Sequence, residues 1–304
     1  MPERCYRVLA VAAHPVQYMA PIFRRMANHS AFDLHVAYCT LRGAEAAHDS
    51  EFGANIKWDV PLLDSYSWSH VPNRGTGTES FFGLCNPDFW GFIRGGNFDA
   101  VLCFTGYLCA TFWIALLAAK SSKTAFLFGT DATTLAPRDG RAWKVIIKKI
   151  LWPRLFRLAD QVIVPSSGSF DLMLSLGLPP ERVTIAPYSV DNDWWVQQSS
   201  RVDRAATRAV WGASQNDPVT LFCAKLQPWK RPSDLLRAFA KADVPNALLL
   251  FAGEGPLRQQ LEAVALGVTS RVRFLGFVNQ SQLPAVYTPL ISSSYPLSTN
   301  LLQY

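Results

Sequence analysis

The stretch Phe222-Cys-Ala-Lys225-Leu-Gln-Pro-Trp-Lys230-Arg231-Pro-Ser-Asp-Leu-Leu-Arg-Ala-Phe239 decides how this chain is read. A hydrophobic strand, Val219–Ala224, ends just before Lys225. A helix is expected over Ser233–Lys241, and both lysines lie on the loop between them. In an open α/β sheet, ligands bind beyond the carboxyl ends of the strands. A helix N-terminus at that edge also attracts anions. Two lysines there suit a diphosphate, and the plainer alternative is a pair of solvated loop lysines.

The pattern repeats downstream. Leu250-Phe-Ala-Gly253-Glu-Gly255-Pro256 ends a strand (Ala247–Ala252) with two glycines, then puts proline at the first position of a helix over 256–266. Glycines at such a turn let the backbone approach a ligand closely. Val272-Arg-Phe-Leu-Gly276-Phe-Val278 is a third strand (Arg271–Phe274) with glycine at its end, and a short helix follows near 281–287.

Upstream, strands over 7–12, 33–39, 99–104, 124–128, 161–165 and 183–187 alternate with helices over 19–28, 107–120 and 167–176. Ser166 or Ser167 caps the last of these, and Gly177 closes it. Trp58–Leu62 reads as a further strand and Pro87–Arg94 as a further helix, while 64–86 reads as loop. Alternation of this kind predicts parallel sheets covered by helices on both faces. A polar stretch runs from Trp195 to about Gln215. The domains are placed at 1–190 and 191–304, and the second has three strands where a doubly wound domain usually has five or six.

Composition limits the function. Of the 304 residues, 49% are hydrophobic and 17% charged, which excludes a disordered chain. A net charge of +6 fits phosphate-bearing ligands or an anionic membrane surface and is too weak to argue for nucleic acid. The six cysteines form no CxxC pair, so a zinc site or a disulfide framework is not expected. Reduced thiols and the lack of a secretory signal point to the cytoplasm. Val101–Ala119 has nineteen residues and no charge. Length alone would allow a membrane span, but Gly106 and the polar Thr105 and Thr111 favour a buried strand–turn–helix. No P-loop, GxGxxG, HExxH or GxSxG signature is present.

Taken in order, the motifs resemble those of family-4 glycosyltransferases of the GT-B fold. The match covers Val219 to Tyr287 most closely. In the first half, His14-Pro-Val-Gln-Tyr18-Met-Ala-Pro21 stands where that family has an acceptor-side loop. Gly129-Thr-Asp131 stands where it has a polar residue facing the donor sugar, and Pro187-Tyr-Ser-Val-Asp191-Asn192 is similar to its domain-junction segment. The resemblance implies two Rossmann-like doubly wound domains, the first on the acceptor side and the second, incomplete, for the nucleotide sugar. It implies a retaining transfer from a nucleotide diphosphate sugar to a glycan, lipid-linked or small-molecule acceptor, with no bound metal and no further cofactor.

Carried onto this chain, Lys225 and Lys230 hold the donor diphosphate. Lys225 replaces the family's arginine, which keeps the charge and loses the bidentate fork. The backbone at Gly276, Phe277 and Val278 holds the base, and Gly253, Glu254 and Gly255 line the donor cleft. His14 and Asp131 are the catalytic candidates; each also has a structural reading, His14 as a partner of its own loop and Asp131 as a cap of the next turn. Asp191 reads as a structural junction residue. The segment 141–157 reads either as a basic helix lying on an anionic membrane at its inner face or as a helix packed on the sheet with a solvated basic face.

The family continues past the residues that match Gln282–Tyr287, into a segment with two glutamates spaced E-x7-E. No acidic residue follows Glu262 here, so a premature end, poor solubility and weak or no transfer are expected. The alternatives are a non-catalytic remnant that binds nucleotide or a protein partner, and an epimerase-like relative sharing the fold.

Overall fold

The computed structural model describes residues 4–49, 54–78, 80–137, 140–268 and 271–290. In chain order the elements begin with β1 (Tyr6–Ala12), α1 (Ala20–Ala27), β2 (Phe32–Tyr38), β3 (Ala47–Asp49), β4 (Ala54–Ile56), β5 (Ser67–His70), α2 (Phe89–Gly95), β6 (Ala100–Cys103), α3 (Ala110–Ser121) and β7 (Ala125–Gly129). Next come α4 (Ala142–Leu158), β8 (Gln161–Val164), α5 (Ser167–Ser175), β9 (Val183–Ile185), α6 (Asn192–Ser199) and α7 (Arg204–Val210). The series ends with β10 (Val219–Cys223), α8 (Pro232–Ala242), β11 (Leu248–Ala252), α9 (Arg258–Val268), β12 (Val272–Gly276) and α10 (Leu283–Tyr287).

The chain forms two compact units. One comprises residues 1–44 and 61–190, and the other 45–60 and 191–304. The stretch 45–60, inside the first domain of the sequence reading, therefore groups with the second unit.

The first unit is a seven-stranded sheet in the order β5-β2-β1-β6-β7-β8-β9, and every pairing is parallel. Strand order reverses between β1 and β6, the place where an open sheet of this kind opens a crevice at its carboxyl edge. Its central strands are apolar on both faces because helices cover both: Leu9, Ala10 and Val11 of β1 are wholly buried. The uncharged run 101–119 resolves into β6, a turn and α3, with Cys103, Cys109, Phe112 and Ala115 in the core. Among the described residues no helix is long and apolar enough to cross a membrane.

In the second unit, β10, β11 and β12 form a parallel sheet in sequence order. Phe251 and Phe274 stack at its centre with ring centroids 4.9 Å apart. The neighbouring β3 and β4 pair antiparallel.

Three sequence expectations need correction. Trp58–Leu62 is not a strand; the ladder in that region is β3 with β4. The segment 64–86 is not all loop, because Ser67–His70 adds to the sheet edge beside β2. Its residues are mostly exposed, so it carries no apolar alternation to read. The polar stretch after Trp195 contains most of α6 and all of α7. Asp191 accepts the Trp194 backbone N–H at 3.2 Å and Asp203 that of Ala206 at 3.0 Å, so each carboxylate caps a helix whose sequence is too polar to announce itself. The expected change of pattern after Tyr287 falls mainly on residues 291–304, which lie outside the described residues.

Candidate functional site

In the second unit the three strand ends are laced together by backbone hydrogen bonds. Ala224 N–H donates to Ala252 O at 3.1 Å, Leu226 N–H to Glu254 O at 2.8 Å, and Gly253 N–H to Gly276 O at 2.7 Å. The parallel ladder thus continues past the strands into the loops that hold most of the sequence-predicted residues.

Glycine is required at two of these positions. Gly253 and Gly255 both have φ +151°. A Cβ on Gly253 would lie 2.0 Å from the Ala224 carbonyl oxygen, and one on Gly255 would lie 2.7 Å from that of Leu226. The loops after β10 and β11 therefore cross backbone to backbone.

Lys225 leaves this crossing half-buried, beside the wholly buried Leu226. Lys230 is exposed on a single 3-10 turn, Pro228–Lys230, directly before α8. Its Nζ lies 4.3 Å from the Trp229 ring centroid, a cation–π contact. The Trp229 indole N–H in turn donates to Gln227 Oε1. Arg231 takes the left-handed conformation (φ +57°) to turn the chain into α8, and pairs with Asp234 in the first turn.

Glu254 is engaged by Arg258, at 2.9 Å, and Arg258 also reaches Glu262 at 2.6 Å and lies over the Phe274 ring. Among the predicted residues Glu254 thus has a structural task of its own, bracing the turn that starts α9.

Phe277 and Val278 follow β12. The Phe277 ring packs against Trp58, with centroids 5.8 Å apart. Asn279 donates to the Lys57 carbonyl at 2.8 Å, and the Asp59 carboxylate accepts from Ser281 N–H at 3.0 Å and from the Ser281 hydroxyl. Residues 57–59 thus clasp the loop expected to hold a base. Sequence reasoning missed this clasp, because its two halves are over 200 positions apart.

In the first unit, His14 follows β1 at the strand-order reversal and is half-buried. Asp131 follows β7 and is exposed. Tyr18 and Tyr188 meet edge to face at 5.8 Å. Burial, then the Asp131 carboxylate and Tyr18, push the Tyr188 hydroxyl up to about 12. Asp131 and the two tyrosines are therefore neighbours. Both tyrosines stood in the quoted motifs, but nothing in their spacing marked them as a pair.

The loop from Val71 to Asn86 is built by two asparagines the sequence did not single out. Asn73 donates to Gly83 O at 2.9 Å and accepts Cys85 N–H at 2.8 Å. Asn86, fully buried, donates to Cys39 O and Val71 O and accepts from Thr111 at 2.7 Å, leaving no polar atom of the network unpaired.

Residues 15–189 match the family described as glycosyl transferase 4-like domain, and residues 203–292 match glycosyl transferases group 1. The chain belongs to the glycosyl transferase 4-like family and has the GT-B fold. A D-inositol 3-phosphate glycosyltransferase of Mycobacterium sp. (strain KMS) is 36% identical over 138 residues, 42% of this chain and 30% of that protein. The corresponding enzyme of Mycolicibacterium smegmatis is 33% identical over a segment of the same length. The matched segment thus spans about a third of these relatives.

Among solved structures, Anabaena HepE in complex with UDP and glucose superposes with a TM-score of 0.62 at 15% identity, over 92% of this chain and 71% of that one. A UDP-N-acetylglucosamine 2-epimerase from Listeria monocytogenes reaches 0.60 at 11% identity, over 92% and 71%. Transferases and epimerases share the fold, so the family match, not the superposition, sets this chain among the glycosyltransferases.

Proposed function

We propose that the chain carries the fold of a glycosyltransferase whose donor is a nucleotide diphosphate sugar, with weak transfer by this chain itself. The observation that carries this reading is the laced set of strand ends in the second unit, where Gly253 and Gly255 keep the backbone bare beside Lys225. Breaking the bond between sugar and diphosphate leaves negative charge on the departing nucleotide. Lys225, Lys230 and the N-terminus of α8 supply the counter-charge. The reading assigns no metal and no other cofactor to the site. The Gly276–Val278 backbone holds the base beside Phe277, and Gly253, Glu254 and Gly255 border the donor.

The first unit takes the acceptor, a glycan, a lipid-linked molecule or a small molecule, with His14 and Asp131 as the polar groups at the reacting end. Transfer retains the anomeric configuration. The basic segment 141–157 gives the protein a peripheral contact with an anionic membrane at its inner, cytoplasmic face.

The test is titration calorimetry with UDP, GDP and ADP. UDP is the first probe because the HepE neighbour is in complex with UDP. One nucleotide is expected to bind, with Lys225→Ala weakening it about tenfold or more, the worth of one charge-assisted contact. No binding by any of the three, or binding unchanged in the Lys225→Ala, Lys230→Ala double variant, overturns the reading.

A further inference from the structure

Helix α4 buries only part of its apolar surface. Trp152, Leu155 and Phe156 enter the core of the first unit. Trp143, Ile147 and Leu151, one turn apart in succession, stay 54%, 42% and 55% exposed, with Ile146 and Ile150 beside them. A helix that is apolar round most of its circumference has no single face to bury, and one buried stripe does not satisfy it.

Trp143, Ile147 and Leu151 line a cavity of about 790 Å³, closed on its other side by Leu108 and Trp113 at the start of α3. The volume lies in the range of small-molecule sites. Two of its three indoles have already spent their N–H groups. The Trp152 indole N–H donates to the Tyr107 hydroxyl and that of Trp113 to the Tyr107 carbonyl, each at 2.9 Å. What faces the cavity is therefore chiefly hydrocarbon. Around it stand Lys144, Lys148 and Arg154. Six basic residues lie between 141 and 157, and no acidic side chain lies between Gly140 and Ala159. Ala110 N–H bonds the Phe81 carbonyl at 2.9 Å, which sets the exposed Phe81 and Phe82 at the same end of α3.

We infer that this cavity takes one acyl chain of an anionic membrane phospholipid, whose phosphate is held by Lys144, Lys148 and Arg154. The inference rests on the membrane contact proposed above and adds a defined seat to it. Charge decides between a lipid and a protein occupant. A protein docked here would bury lysines at the centre of its interface, where lysine is depleted. A phospholipid brings its counter-charge at the head of the chain that fills the cavity.

The experiment uses the full chain with vesicles of phosphatidylcholine alone or mixed with phosphatidylglycerol. Binding is read by co-sedimentation. Insertion is read as tryptophan quenching by phosphatidylglycerol brominated at mid-chain, compared between wild type and Trp143→Phe. Binding is expected to the anionic vesicles only. Lys144→Glu with Lys148→Glu should weaken it roughly 100-fold, and Leu151→Asp about tenfold or more. The mid-chain bromines should quench wild type more than Trp143→Phe. Vesicle binding with equal quenching in both proteins and no effect of Leu151→Asp overturns the seat and leaves the surface contact standing. Failure to bind anionic vesicles overturns both. All four altered residues are at least partly exposed, and an unchanged melting temperature confirms that the variants are folded.

Discussion

Replacing Gly253 by alanine should do more damage than any other single methyl group added to the second unit. The new Cβ would lie 2.0 Å from the Ala224 carbonyl oxygen, whereas ordinary contacts begin near 3.4 Å. The two loops would have to separate by about 1.4 Å. Neither is free to do so, because Ala224 N–H holds Ala252 O at 3.1 Å and Gly253 N–H holds Gly276 O at 2.7 Å. Giving up those two bonds costs roughly 0.5–1.5 kcal/mol each. Holding alanine at φ +151° adds about 1–3 kcal/mol. The total, roughly 2–6 kcal/mol, is a large share of a domain's usual ~5–15 kcal/mol. Differential scanning calorimetry should show the second unit melting about 10 °C lower or more. The matched control is Gly267→Ala in α9, where a Cβ meets nothing within 4 Å and the helix should gain roughly 0.5–1 kcal/mol. If Gly253→Ala melts with wild type, the loops do not cross as described and the argument for a bare backbone cradle fails.

Other outcomes follow from single contacts. Arg208 is buried, and its guanidinium bonds the Ser214 and Pro289 carbonyls at 2.9 Å and that of Asp217. Arg208→Ala strands all three and should cost about 3 kcal/mol in urea unfolding; a loss below about 1 kcal/mol would show that the carbonyls find water instead. Asp217 accepts from the Ser214 hydroxyl and backbone N–H and pairs with Arg271, and these hold its carboxyl down at about 2. Because the folded value lies below the unfolded one, its contribution is complete above about pH 4 and disappears as pH falls through about 2. Asp217→Asn should flatten that acid limb of the stability curve, and an unaltered limb would assign it to other carboxylates. Asp59→Ala should speed amide exchange at 279–283 while leaving β10–β12 protected, and unchanged exchange there would mean that the clasp does not order the loop.

The sheets were legible in the sequence for one reason: strands buried on both faces must be short unbroken apolar runs, and β6, β7, β11 and the Val8–Ala12 part of β1 are. Edge strand β5 lacked that signature because a strand with one neighbour keeps polar residues such as Ser67 and His70. His35, on the adjoining strand, bonds Ser67 at 2.7 Å and Ser69 at 2.9 Å, a polar ladder that no periodicity announces. Helices α6 and α7 hid for the opposite reason. Their capping aspartates, Asp191 and Asp203, were visible, but α6 buries no residue fully and α7 only Arg208, so no apolar repeat confirmed the caps.

The same reasoning separates what was readable in the candidate site from what was not. Lys225, Gly253, Gly255 and Gly276 could be picked out because the physics that places them is local. A parallel strand must stop, its last groups must be satisfied within a few residues, and the side chains near that stop are restricted by close backbone approach. The Asp59–Ser281 clasp, the Tyr18–Tyr188 contact and the Asn86 network are not local. In each, a polar or aromatic group is placed by a partner on another element, and the sequence around either half looks like ordinary loop. The divide has a consequence for engineering. Positions of the first kind should tolerate change only where the backbone does, so Gly253 has few substitutes. Positions of the second kind should tolerate paired change, so exchanging Asp59 and Ser281 together for an apolar pair of similar volume should restore order that either single change removes.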